Sequence, residues 1–379
     1  MKYGIIGLGD RLAHLVRCFA AADQSIEWVA VTDPDDVRMP VFEPLDAAPI
    51  RYDSPAQMLA EHDLDVIMIG SPNHLHLEHL ELALKSKAKF IFAEKPVVTN
   101  IEETMSLAKL MAEHDGVRRI LVGMVLRYSP LYRALTDANR QHLGEIMSIE
   151  AAEHIAPYHG SFFMRDWRRD TAMSGGFMLE KCCHDLDLYQ GLVGARPMEV
   201  ASFGGRKKYL PERRVDADYL SKMSPRWGGV NDAFGGTGDI IDYQTAIVNY
   251  ANGATLAFHT NLNVPDEYRR FMVAGVDGQA EGDFLRNYLH VTLSDTGERI
   301  IDSTPGDATN DGHYGADDAM AVDIVAHING TLDQLPLSVI DALEAGVTAM
   351  AMDLSRNEKR MIDLAPVWDD FDKALAGNA

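Results

Sequence analysis

Between Tyr3 and Gly123, short apolar runs rich in β-branched and aromatic residues alternate with stretches whose apolar residues recur at helical spacing. The runs are Tyr3–Ile6, Ile26–Thr32, Asp65–Ile69, Lys89–Ala93 and Arg119–Val122. Strands that run parallel need a crossover long enough to hold a helix, and such crossovers are right-handed. The alternation therefore predicts a parallel sheet covered by helices. It also places the carboxyl ends of the strands, where open sheets of this kind take their ligands, along one edge.

The residues at those ends point to a dinucleotide. Gly7-Leu-Gly9-Asp10-Arg11-Leu12 follows the first strand. Gly7 permits a tight turn, Gly9 lets the backbone approach a pyrophosphate, and the amides opening the next helix would hold it. Leu12 stands at the third glycine position of the fingerprint, so the match is partial. The second strand ends in Asp33, at the spacing of a ribose acceptor. Its carboxylate would repel a 2′-phosphate, which favours NAD over NADP, with Arg38 nearby as the counterweight. Asp33 before Pro34 is also sound turn chemistry with no ligand at all.

Ser71-Pro-Asn73-His74 follows the third strand, with His76 just beyond, and Glu94-Lys95-Pro96 follows the fourth. Proline keeps the residue before it out of helical geometry, so Lys95 projects from an extended backbone toward the nicotinamide end of a bound dinucleotide. The plainer alternative is two solvated charges at a strand terminus.

After Gly123 the rhythm changes at Arg127-Tyr128-Ser-Pro130. Strand-like runs then cluster at 144–153, 198–204, 242–250, 255–262, 269–276, 279–284 and 288–293, with few helices between them. This predicts an α+β domain with a large, mostly antiparallel open sheet, one face of which is free to pair with another subunit. The expected division is 1–124 for the nucleotide-binding domain and 125–379 for substrate binding and oligomerisation. The polar, glycine-rich stretch 207–239 is expected to be a lid or an oligomer arm.

Within the second half, a helix from about Phe177 puts Glu180 and His184 one turn apart on one face. A carboxylate beside an imidazole can fix its tautomer and raise its basicity, as proton transfer near neutral pH requires. A histidine hydrogen-bonded in a core is the alternative. Cys182 and Cys183 also invite a zinc reading, but adjacent helical residues diverge by roughly a hundred degrees; no metal is expected. Upstream, Tyr158, Trp167 and Arg168 mix aromatic faces with donors, a composition suited to a polyhydroxylated substrate. A loop anchored by a buried tryptophan explains them equally well. The helix beginning near Asp318 is expected to take Asp317 as its N-cap.

Composition narrows the partners. With 57 acidic against 35 basic residues the net charge is -22, which argues against nucleic acid and anionic membranes. No apolar run reaches the length of a bilayer span. The three cysteines, Cys18, Cys182 and Cys183, make no disulfide framework, and the N-terminus shows no leader pattern, so a reducing, cytoplasmic setting is expected.

In this order, the glycine turn, Asp33, Ser71-Pro-Asn-His, Glu94-Lys95-Pro96, Arg127-Tyr128 and Gly175-Gly176 with His184-Asp-Leu-Asp187 resemble the glucose-fructose oxidoreductase/inositol dehydrogenase/rhizopine catabolism (Gfo/Idh/MocA) family. The resemblance runs over essentially the whole chain, and Glu-Lys-Pro is its most specific part. It implies an N-terminal Rossmann domain, an open-sheet domain, a tightly held NAD or NADP, and dimers or tetramers packed through the sheet faces. It also implies oxidation of a sugar or polyol hydroxyl, with the family's lysine, histidine and preceding acid falling on Lys95, His184 and Glu180. The family commonly has aspartate where Glu180 stands, and Lys181 beside it is a second departure.

The expected function is therefore NAD(P)-dependent oxidation of a secondary hydroxyl of a sugar, sugar derivative or cyclitol. Lys95, His184 and Glu180 are the expected catalytic residues. Gly7, Gly9, Asp10, Arg11, Leu12, Asp33, Ser71, Asn73, His74, His76, Glu94, Lys95 and Arg127 are expected around the cofactor, and Tyr158, Trp167, Arg168 and Lys181 around the substrate. Two rivals stand beside it: a glycosidase or lyase that oxidises its substrate only transiently, and a non-catalytic sensor of NAD or sugar.

Overall fold

A computed structural model describes residues 1–214, 216, 218, 233–305 and 312–377. Residues 215, 217 and 219–232, about half of the expected lid or arm, lie outside the described residues. By internal contacts the chain divides into two units. One comprises Met1–Ser129, Asn310–Gly346 and Pro366–Ala379, and the other Pro130–Thr309 and Val347–Ala365.

The first unit is built on six strands: β1 (Lys2–Ile6), β2 (Glu27–Thr32), β3 (Ile50–Tyr52), β4 (Val66–Ile69), β5 (Phe90–Ala93) and β6 (Ile120–Val122). They pair in the order β3-β2-β1-β4-β5-β6, and every pairing is parallel. Helices Asp10–Ala22, Pro55–Glu61, His76–Lys85 and Ile101–Glu113 supply crossovers between them. Central strands covered on both faces read as continuous apolar runs, and all four residues of β4 are fully buried. Tyr3, Phe19, Trp28 and Phe92 interlock edge to face, with ring centroids 5.4–6.5 Å apart. Strand order reverses between β1 and β4. The carboxyl ends of these two strands therefore flank the crevice that such sheets use for ligands.

The third glycine of the fingerprint normally lets helix and strand approach closely. Here that position is Leu12, which is fully buried. The space comes from Gly70 at the end of β4: a Cβ added there would lie 1.9 Å from Leu12 Cδ2. The side chain missing on one element is present on the other, and the packing closes.

Among the described residues the second unit carries nine strands: β7 (Ile146–His154), β8 (Pro197–Gly205), β9 (Tyr243–Tyr250), β10 (Thr255–Asn261), β11 (Tyr268–Gly275), β12 (Gly278–Asp283), β13 (Tyr288–Leu293), β14 (Arg299–Ser303) and β15 (Ile362–Asp363). Their order is β14-β13-β12-β11-β7-β10-β9-β8-β15. Only β7 and β10 pair parallel; the other pairings are antiparallel. Burial alternates along β9, β10 and β11, so one face is core and the other open.

Helix Phe177–Val193 lies on the core face, where Cys182 Sγ is 3.5 Å from Thr260 Oγ1 of β10. The helix is buried nearly all round, with only Lys181 and Gly191 partly exposed, rather than along one stripe. Two of its charged groups, Lys181 and Asp185, are ion-paired with residues of the sheet. Arg269 of β11, 1% exposed, sends Nε and Nη2 to the two oxygens of Asp185 at 2.8 and 2.7 Å. Glu153 of β7 sits between two cations, 3.0 Å from Arg269 Nε and 3.3 Å from Lys181 Nζ. The Arg269 Nε hydrogen is directed at Asp185, so Glu153 is an ion-pair partner of that arginine without a well-aligned hydrogen bond.

Candidate active site

The first unit presents a glycine turn suited to a pyrophosphate. Gly7 has φ +83°, and a Cβ there would lie 2.5 Å from Ser71 N, so the turn requires glycine. Gly9 is different. Its φ is -70° and the nearest atom to an added Cβ is Gly70 O at 3.9 Å, so the protein itself does not demand glycine. Helix Asp10–Ala22 starts at Gly9 with no side-chain cap on its first amides. An unobstructed approach to the amides that open a helix is what a dinucleotide phosphate needs, and the residues present fit it.

Asp33 is tied to this turn, accepting from Leu8 N at 2.7 Å through one oxygen and from Asp35 N at 3.1 Å through the other. A carboxylate has about four acceptor positions, so capacity remains for a ribose hydroxyl. Asp10, beside the turn, is occupied by Arg38 at 2.7 Å.

At the ends of β4 and β5 the contacts are dense. Ser71 Oγ lies 2.8 Å from His79 Nδ1, while Asn73 is buried in the 3-10 turn Asn73–Leu75 and His74 is half-buried. His76 is buried against the carbonyls of Ser71 and Pro96. Glu94 is 5% exposed, and Gly123 makes room for it: a Cβ there would lie 3.0 Å from Glu94 Oε1. Arg11 Nε donates to Glu94 Oε1 at 2.9 Å, and Glu94 Oε2 accepts the Lys95 amide at 3.2 Å. Lys95 is half-buried on this fixed carboxylate.

The second partner of Arg11 comes from far along the chain. Arg11 Nη2 is 2.6 Å from Asp317 Oδ1, and His14 Nε2 and His313 Nδ1 each stand 3.1 Å from Asp317 Oδ2. Burial works against ionisation of Asp317, but hydrogen bonds from His14, His313 and Arg11 outweigh it and hold the carboxyl well below the usual range. Sequence reasoning cast Asp317 as a helix cap. Instead its carboxylate anchors Arg11, and helix Gly312–Ile328 carries left-handed residues at His313, Tyr314 and Gly315. The only signal was the one-turn spacing of His313 and Asp317. Arg127 is buried with its guanidinium on Pro336 O at 3.1 Å and Asp341 Oδ1 at 3.4 Å.

In the second unit Gly175 and Gly176, at φ +82° and +93°, turn the chain into helix Phe177–Val193. Glu180 and His184 lie one turn apart on it, 6% and 3% exposed. Arg168 is layered between the rings of Phe162 and Trp167, at 4.1 and 4.2 Å, with Nε 3.6 Å from Glu180 Oε1. Burial lowers the basicity of this guanidinium despite the neighbouring carboxylate. Lys181 joins Glu153, as described, and Tyr158 donates its hydroxyl to Glu267 Oε1 at 2.6 Å. The structure thus joins Glu180 to Arg168 and Trp167, with His184 one turn along the same helix, while Lys181 pairs with Glu153 and Tyr158 with Glu267 in the same unit.

Comparison with known proteins agrees with this build. YteT of Bacillus subtilis is 24% identical over 60% of this chain, a match that spans 62% of its own length, less than two thirds. The 2,7-anhydro-N-acetylneuraminate hydratase of Escherichia coli K12 is 22% identical over 82% of this chain and 77% of that protein. Among solved structures, levoglucosan dehydrogenase in complex with NADH and levoglucosan superposes with a TM-score of 0.75 at 17% identity, covering 96% of this chain and 99% of that one. The oxidoreductase-family model for an NAD-binding Rossmann fold matches residues 1–123, and the family's C-terminal alpha/beta domain matches 139–364. With both domains matched in order, the chain belongs to the Gfo/Idh/MocA oxidoreductase family.

Proposed function

We propose that the protein oxidises a secondary hydroxyl of a sugar, sugar derivative or cyclitol, with NAD as the preferred dinucleotide. The observation that carries this reading is the Glu94-Lys95-Pro96 turn, held by Arg11 on the ligand edge of the sheet. NAD, when bound, supplies the hydride acceptor. Lys95 hydrogen-bonds the substrate oxygen and steadies its developing negative charge. His184 takes the hydroxyl proton, and Glu180 orients the imidazole or binds a neighbouring hydroxyl. Arg168, Trp167 and Lys181 shape the sugar's surroundings. The preference for NAD rests on Asp33 beside the turn and on the pairing of Arg38 with Asp10, which leaves that guanidinium less available to a 2′-phosphate.

A screen of sugars and cyclitols for NADH formation, after mass measurement of any cofactor carried through purification, tests the reading. Accumulation of NADH with at least one polyol is the expected result. A second reading, transient oxidation within an elimination or hydration, is favoured by the hydratase among the relatives. Release of product without NADH accumulation would select it.

For the assembly we propose a homodimer or homotetramer through the open face of the second sheet. Phe203 and Ile247 support it: they are 77% and 56% exposed on neighbouring strands of that face. No helix among the described residues is long and apolar enough to cross a membrane.

A further inference from the structure

His76 opens helix His76–Lys85 and is 1% exposed. Its two ring nitrogens face two backbone carbonyl oxygens, Nδ1 at 2.7 Å from Pro96 O and Nε2 at 2.8 Å from Ser71 O. A carbonyl oxygen can only accept. A neutral imidazole carries one N–H, so in either tautomer one of these contacts, too short to admit a water, would press a nitrogen lone pair against an oxygen lone pair. Only the imidazolium donates on both sides.

From this pairing we propose that His76 is kept as a buried cation that clamps the Ser71 carbonyl, beyond β4, to the Pro96 carbonyl, beyond β5, and so acts as a positioning residue for Lys95. The positioning half rests on the role given to Lys95 under Proposed function; the charge of His76 does not. The other titratable groups on its own helix and on the two turns it joins are His74, Glu78, His79, Glu81, Lys85, Glu94 and Lys95, with Glu102 and Glu103 opening the helix that follows, and Glu81 and Lys85 pair with each other. Glu94 is occupied by Arg11, and Glu103 accepts from Thr99 N and Oγ1, both at 2.8 Å. Burial holds His79 toward its neutral form, with Nδ1 at Ser71 Oγ, so the proton is not diverted there. The clamp has a direction in pH. It is complete while the imidazolium persists, and when rising pH removes the proton one carbonyl loses its donor and the Lys95 turn loosens.

Long-range proton–nitrogen correlation spectra of the full-length, histidine-labelled protein read the charge directly, with the His76 signal assigned by its loss in His76→Gln. Both ring nitrogens protonated at neutral pH is the expected result; one unprotonated nitrogen overturns the proposal. In steady-state assays His76→Gln, which offers at most a partial clamp, is expected to lower kcat about tenfold with KM held within about twofold. It should also remove an alkaline limb present in the wild-type pH profile. Wild-type kcat with an unchanged profile overturns the positioning role. An imidazolium signal together with full activity in both His76→Gln and Lys95→Ala would instead uphold the charged clamp and overturn the role of Lys95.

Discussion

A single missing side chain at Gly70 permits the departure at Leu12. Because an added Cβ would sit 1.9 Å from Leu12 Cδ2, Gly70→Ala overpacks the helix–strand contact. It is expected to cost about 1–3 kcal/mol or more, and Leu12→Ala alone about 2–5 kcal/mol. Denaturant titration should find the double variant less destabilised than the sum of the two. A sum or more would contradict the packing argument. Asp353 offers a second test. Burial raises its carboxyl to about 6 against the pull of Arg356. A carboxyl raised in the folded state favours folding when protonated, so this contribution is present near pH 4 and is lost as pH rises through 6, at a cost of about 3 kcal/mol. Asp353→Asn is expected to raise the melting temperature at neutral pH and to change it little near the unfolded carboxyl value. Gly70 also marks a limit of sequence reading. Leu12 looked like a defect in the fingerprint, and only its neighbour at the end of β4 shows the compensation.

Elements with a clear period or a breaker at their ends were legible: the parallel strands, the start of the helix at Phe177, and the turn at Glu94-Lys95-Pro96. β3 and β14 were not, because three residues of Ile50-Arg-Tyr and the mixed run Arg299–Ser303 carry too little pattern. Helix Phe177–Val193 was expected from about Phe177, with Glu180 and His184 sharing a face. It buries nearly all of itself, and the ion pairs that permit this come from residues tens of positions away, which no local spacing announces. Arg269 is their centre. Arg269→Met would leave Asp185 and Glu153 buried without their shared cation, and is expected to cost about 3–5 kcal/mol in denaturant unfolding. A loss under about 1 kcal/mol would show that the helix is held by its apolar contacts alone. Asp317 belongs to the same class of residue, reaching Arg11 across 306 positions.

For the whole molecule the account makes two separable claims. The open sheet face is expected to bury Phe203 and Ile247 between copies, so Phe203→Lys combined with Ile247→Lys should shift sedimentation toward the monomer with the melting curve of each unit retained. An unchanged oligomer would place the interface elsewhere. The central claim is that the lysine between Glu94 and Pro96 acts on the reacting oxygen rather than on the dinucleotide. Turnover of Lys95→Ala, measured beside its affinity for NADH, tests it most directly. The account predicts a loss in kcat of about 10²-fold or more with the NADH dissociation constant within about threefold of wild type. Turnover at the wild-type level would contradict it.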